Sequence, residues 1–236
     1  MYADAQVFGR VGRFALSILS VRAHSSGSVQ MLHGDLEDAL IWLDNWLASA
    51  KPRRISKGQV GLLPVLIFTD GAVEGDKHQH VTCGAVAFFP AGCSMEAFGT
   101  TVEPMLLEEW NSGLDKQVIG QAELLPILLS RILWADAIRE SDVLFFVDNF
   151  SALDALVKGY SDAVGSRDIL RALAEHEMEC PTNSWYTRVP SSSNLGDGPS
   201  RLDMSLLLSS FQCLIREAPK LTSLRKVQRF VQRQVV

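Results

Sequence analysis

Residues 143–149, Val-Leu-Phe-Phe-Val-Asp-Asn, limit what this chain can fold into more than any other stretch. Five apolar residues in succession end in a carboxylate, and a helical spacing (Phe150, Leu153, Leu156) begins at once. A wholly apolar run of this length reads as a central strand covered on both faces, since a half-exposed strand would alternate. Asp148 then stands where the strand leaves the sheet, at the carboxyl end where open α/β sheets place their chemistry. Residues 65–71, Val-Leu-Ile-Phe-Thr-Asp-Gly, repeat the pattern with Asp70. Two buried strands would thus bring two acids to one edge.

The rest of the chain supplies the layers around those strands. Residues 1–58 carry helical spacings: Phe8, Val11, Phe14, Ile18 and Leu19, then Leu36, Ala39, Leu40, Leu43, Trp46 and Leu47 after a capping Asp35. We read them as a helical appendage whose tryptophans pack rather than bind a ligand. A polar loop (71–80), strands near 83–89 and 95–102, and a Pro90-Ala91-Gly92 turn make a meander. Residues 103–118 read as irregular, with a turn of helix at 106–110. A broad apolar face predicts a helix over 121–138, with Pro126 near its start or marking a distortion. Helices follow at 151–158 and 166–178, a fifth strand at 185–189, and a helix at 204–215. The main domain is expected over 59–218, with a basic tail or helix over 219–236.

Composition excludes little but is informative. The chain has 236 residues and a net charge of −5, so nucleic-acid binding would need a local basic face rather than overall attraction. The four cysteines form no Cys-x-x-Cys pair and read as reduced thiols of an intracellular protein. No apolar run approaches the ~18 residues of a membrane span, and no signal peptide is evident, so a soluble protein is expected.

Four acids occupy corresponding places in this order: Asp70 on the first strand, Glu123 on the long helix, Asp148 after the fourth strand, and Asp197 in the loop after the fifth. Asp197 lies in Arg-Val-Pro-Ser-Ser-Ser-Asn-Leu-Gly-Asp-Gly-Pro-Ser-Arg, residues 188–201. In this order and in that last block the chain resembles the ribonuclease H-like superfamily, and more closely the ribonuclease H-like region of retroelement reverse-transcriptase polyproteins of the DIRS-like, tyrosine-recombinase type. The resemblance covers residues 62–203. More loosely, residues 8–58 look like the helical connection that follows the polymerase there, so the chain looks like an excised or relict C-terminal part.

The resemblance implies a five-stranded mixed sheet flanked by helices with an N-terminal helical appendage, and a hydrolase that cuts the RNA strand of RNA–DNA hybrids. A polymerase part of a reverse transcriptase would be a partner. Physics adds a requirement. Two carboxylates about 4 Å apart repel by roughly 4 kcal/mol at an effective dielectric near 20, so an ionised cluster needs divalent cations. Oxygen ligands select Mg²⁺ or Mn²⁺. The resemblance implies two ions: Asp70 bridging both, Glu123 and Asp148 on the one that activates water, Asp197 completing the second.

Each acid also has an ordinary structural reading as turn, cap or solvated residue. Gly71, Asn149, Ser151, Asn194 and Arg201 are candidates for contact with a nucleic-acid backbone, although Asn149 and Ser151 better suit a helix start and a surface salt bridge suits Arg201 equally well. His78, His80 and Cys83 have metal-like spacing without a fourth ligand, and read as solvated loop residues. The loop Pro190-Ser191-Ser192-Ser193 lacks the histidine that cellular ribonucleases H carry there, a loss typically worth ~10²–10⁴-fold in rate. That departure keeps a second function class open, a catalytically silent ribonuclease H-fold module for binding or partner interaction. A small-molecule-binding α/β domain is a third, without a Gly-x-Gly-x-x-Gly or Walker loop behind it.

Overall fold

The computed structural model describes residues 11–24, 34–49, 63–75, 80–90, 92, 94–111 and 118–224. His78, Cys93, and the basic residues of segments 51–57 and 225–236 lie outside them. Among the described residues six strands form one sheet: β1 Val65–Glu74, β2 His80–Phe89, β3 Ser94–Thr101, β4 Asp142–Val147, β5 Asn183–Arg188 and β6 Cys213–Ile215, in the order β5-β4-β1-β2-β3-β6. β1, β2 and β3 are the expected antiparallel meander, while β4 runs parallel to β1, β5 parallel to β4 and β6 parallel to β3. The fold is therefore mixed α/β, with helices flanking the sheet.

The sheet has one strand more than expected. Residues 204–215 read as a single helix because Leu207, Phe211 and Leu214 recur at helical spacing. The chain instead forms a helix over Ser205–Ser210, turns extended at Phe211 (φ −139°, ψ 154°), and pairs Cys213–Ile215 with Met95, Glu96 and Ala97. Leu206, Leu208 and Leu214 are exposed, so the apolar pattern there did not mark a buried stripe.

One face of the sheet buries the main core against helices that include α3 Pro104–Asn111, α4 Ile119–Leu133 and α7 Val164–Glu179. α3 is two turns rather than one, with Leu106 and Trp110 inward and Pro104 at its first position, where the missing N–H costs nothing. α4 starts two residues earlier than expected and continues through Pro126. Gln121 to Arg131 are all buried, the polar Gln121, Glu123, Ser130 and Arg131 included. A short α5, Ala135–Ile138, follows. α6, Phe150–Lys158, ends at Gly159, whose left-handed φ of 69° closes it. The opposite face carries a smaller core of Val86, Met95, Ala97 and Leu207 under α8, Asp197–Ser200, and α9, Ser205–Ser210.

The first two described helices, α1 Arg13–His24 and α2 Asp35–Ser49, share a separate cluster. Phe14, Ala15 and Ile18 meet Ala39, Trp42 and Trp46, with Tyr160, Ala174 and Met178 at its edge. Trp42 and Trp46 stack with centroids 5.7 Å apart. The tryptophans pack, as expected, but the buried face of α2 is rotated from the expected one: Trp42 is inside and Leu40 and Leu47 are exposed. Among the described residues no helix is long and apolar enough to cross a membrane.

Candidate metal centre

The centre forms where β1 and β4 part. The two strands pair from Val65↔Val143 to Phe68↔Phe146 and no further, while β1 continues beside β2 to Glu74↔His80. Asp70 lies just beyond the last β1–β4 pair and Asp148 just beyond the end of β4. Side chains alternate along strands, so Phe68 and Asp70 share a face with Phe146. Phe68 and Phe146 stack at 4.4 Å below the two acids and hold that register.

Glu123 enters from α4, which packs closely on β1 at Gly71. Asp70, Glu123 and Asp148 each offer one carboxylate oxygen to a common space, and these oxygens lie within 4.8 Å of one another. Asp70 and Glu123 are each only 5% exposed. Burial, with the charges of its two neighbours, pushes the Glu123 carboxyl up to about 9, against the opposing effect of hydrogen bonds from the Gly71 backbone and the Asn149 side chain. Burial likewise raises Asp70 to about 6, aided by Asp148 and Asp197 and opposed by a hydrogen bond from Ser200 and by Arg201. Both shifts come from keeping negative charge in a small dry volume.

Asp197 is the sequence-predicted acid that stands outside this group. It opens α8 with an exposed side chain, and its Oδ1 accepts from Arg201 Nε at 3.2 Å. Arg201 also faces Glu74 at 3.8 Å. Asp197 is still near enough for its charge to act on Asp70.

The other candidates fall into distinct places. Asn149 caps α6, its Oδ1 accepting from Ala152 N at 3.1 Å while its side chain also serves Glu123. Ser151 is exposed on the first turn of α6. Asn194 is 6% exposed and fully engaged: Nδ2 donates to Thr69 O at 3.0 Å and Oδ1 accepts from Gly196 N at 3.1 Å. It ties the Asp197 loop to β1 beside Asp70. Gly71 is buried under α4 and Arg201 is exposed. His80 and Cys83 are an odd number of residues apart on β2 and so project to opposite faces, with Cys83 fully buried.

The sequence reading missed Ser200, Gly84 and Gly99. The signal for the glycines was present, since each sits mid-strand, where a glycine marks close backbone approach.

No protein-family description matches the chain, and no curated protein matches it. Among solved structures it is similar to the RNase H1 of the halophilic archaeon Halobacterium salinarum, at 19% identity and a TM-score of 0.43, over 57% of this chain and 92% of that one. It is similar to LC11-RNase H1, solved in complex with an RNA/DNA hybrid, at 14% identity and a TM-score of 0.45, over 61% and 99%. A third similarity is to the protease–reverse transcriptase of prototype foamy virus, at 11% identity and a TM-score of 0.40, over 74% of this chain but 27% of that one. At these TM-scores and identities the similarities carry no activity across to this chain.

Proposed function

We propose that the chain is a metal-dependent ribonuclease H-type nuclease domain of a retroelement reverse transcriptase, of the DIRS-like kind, hydrolysing the RNA strand of RNA–DNA hybrids. The observation that carries this reading is the convergence of Asp70, Glu123 and Asp148, far apart in sequence, within 4.8 Å at the carboxyl edge of two parallel strands.

The three residues fit a divalent cation. Their donor set is oxygen only, which suits Mg²⁺ or Mn²⁺. Glu123 Oε2 is buried without a hydrogen-bond partner, a costly state that a ligand would relieve. Bound there, a divalent ion would offset the carboxylate charges, polarise a phosphodiester and make water more acidic. Asp70 would hold it from the middle of β1, Asp148 from just past the end of β4, and Glu123 from a buried helix. Asp197 would serve a second ion once its carboxylate leaves Arg201. Arg201 and Ser151, both exposed, would meet substrate phosphates, whereas Asn149 and Asn194 would act by holding Glu123 and the Asp197 loop. Recognition would rest on hybrid shape, phosphates and 2′-hydroxyls.

A hybrid-cleavage assay with Mg²⁺, with Asp70→Asn as control, tests the reading. Metal-dependent cutting lost in the variant supports it; equal cutting by both proteins, or none by either, removes the enzyme claim. The pairing of Asp197 with Arg201, together with the missing loop histidine, favours one alternative, a silent module of the same fold. A module that no longer binds metal would show no thermal stabilisation by millimolar Mg²⁺ or Mn²⁺, whereas a metal centre must respond by mass action.

A further inference from the structure

Asp70, Gly84 and Gly99 stand in one row across three strands: Asp70 pairs with Gly84 on β2, and Gly84 with Gly99 on β3. Side chains at paired positions share a face, so the row is one carboxylate beside a two-residue trough. A methyl group on either glycine would overlap the Pro199 backbone, because α8 lies directly in that trough. Gly196 backs onto Thr69 and Asp70 in the same way, at 2.9 and 3.1 Å for an added Cβ. The seating leaves Ser200 fully buried at the end of the trough. Its hydroxyl lies 2.5 Å from Asp70 Oδ2 and 2.8 Å from the Asp197 carbonyl oxygen. Its backbone N–H donates to Gly196 O at 2.9 Å, which fixes the serine from below.

Building on the metal-centre reading above, we infer that Ser200 is a positioning residue for that centre, its hydroxyl holding the Asp70 carboxylate in the orientation a divalent cation needs. Asp70 faces two other carboxylates across less than 5 Å, and their repulsion would turn it away unless something opposes it. A buried donor bonded to one oxygen opposes that rotation. The hydroxyl has one proton for two acceptors, and the Asp70 carboxylate, closer at 2.5 Å than the Asp197 carbonyl at 2.8 Å and the stronger acceptor, takes it. Ser200 also makes a mechanical link: the helix that carries Asp197 is fastened to Asp70 through it.

The test is a Mn²⁺ binding isotherm for the wild type, Ser200→Ala and Ser200→Cys, with thermal melts in EDTA to check folding and hybrid cleavage measured in parallel. Removing an outer-shell partner of a metal ligand typically weakens affinity about 10–100-fold. Ser200→Ala should weaken Mn²⁺ binding by about that factor. It should lower kcat comparably and leave KM for the hybrid within about twofold, since Ser200 is buried away from substrate. Ser200→Cys keeps a weak donor of similar size, should fall between the two, and serves as the folded variant if alanine destabilises the trough. Wild-type affinity in Ser200→Ala, or in Ser200→Cys where only that variant folds, overturns this inference alone. Wild-type protein that binds Mn²⁺ but cuts no hybrid defeats the proposed activity, while the isotherm still decides the role of Ser200. A wild type that binds no Mn²⁺ overturns the metal centre and this inference together.

Discussion

Gly71 lies so close beneath Ala122 that a methyl group on it would overlap the Ala122 carbonyl and come within 2.7 Å of the Glu123 backbone nitrogen. Pro126 has no N–H to offer that carbonyl through the usual i→i−4 helix bond, so the approach of β1 does not compete with one. The contact sets the height of α4 over the sheet and, with it, the depth of Glu123. Gly71→Ala should therefore destabilise the fold by about 2–3 kcal/mol, the ordinary cost of overpacking. Denaturant unfolding checks the stability, and the Mn²⁺ thermal shift of the surviving folded protein should shrink.

The four acids should not be equivalent. At pH 8, Asp70→Asn should raise the metal-free melting temperature by about 2–5 °C, because it removes a buried carboxylate whose pKa is raised. Asp70→Asn and Asp148→Asn should abolish the stabilisation by Mn²⁺, whereas Asp197→Asn should leave affinity for the first ion within about threefold. Thermal melts across a Mn²⁺ series separate the cases. An Asp197→Asn protein that lost all response would place that residue inside the primary site.

The pH dependence of the metal-free protein has a definite sign. Asp70 moves from 3.8 to about 6 and Glu123 from 4.5 to about 9 on folding. Between each pair of values the folded state holds a proton that the unfolded state has released. Stability contributed by these groups is complete below the unfolded values, and is lost as pH rises to about 6 for Asp70 and on towards 9 for Glu123. Melts in EDTA should show that decline. Saturating Mn²⁺ should flatten it, since a cation replaces the protons and its affinity rises with pH.

Asn149 has two jobs that substitution can separate. Asn149→Ser retains an N-cap oxygen, so stability should hold within about 0.5 kcal/mol, whereas Asn149→Ala should cost about 1 kcal/mol. Both lose the hydrogen bond to Glu123 and should weaken Mn²⁺ binding about three- to tenfold. A serine variant with wild-type affinity would reduce Asn149 to a cap.

What the sequence made legible follows from how strongly each segment is buried. β4 is an apolar run with a carboxylate just past its end, and β1 opens with a similar run that leads to Asp70 in mid-strand, a pattern few other environments accept; three acids of the site follow from these runs and from α4. β6 was hidden because three residues at an exposed edge carry no periodicity of their own, and Leu207, Phe211 and Leu214 supplied a false helical stripe. On α2 the face turned towards Trp42, since stacking two indoles buries more area than the smaller leucines would. Ser200 could not be found from spacing. Its meaning depends on Gly84 and Gly99, more than 100 residues earlier in the chain, clearing the sheet for Pro199. The separation of Asp197 from the other acids likewise depends on Arg201, one turn further along, in a contact that sequence order alone does not fix.

The most direct test is an anomalous-difference map from crystals of the full chain soaked in Mn²⁺. The account predicts a peak bound jointly by Asp70, Glu123 and Asp148, and no peak there in Asp148→Asn crystals. A map with Mn²⁺ elsewhere and nothing between these three carboxylates would contradict it.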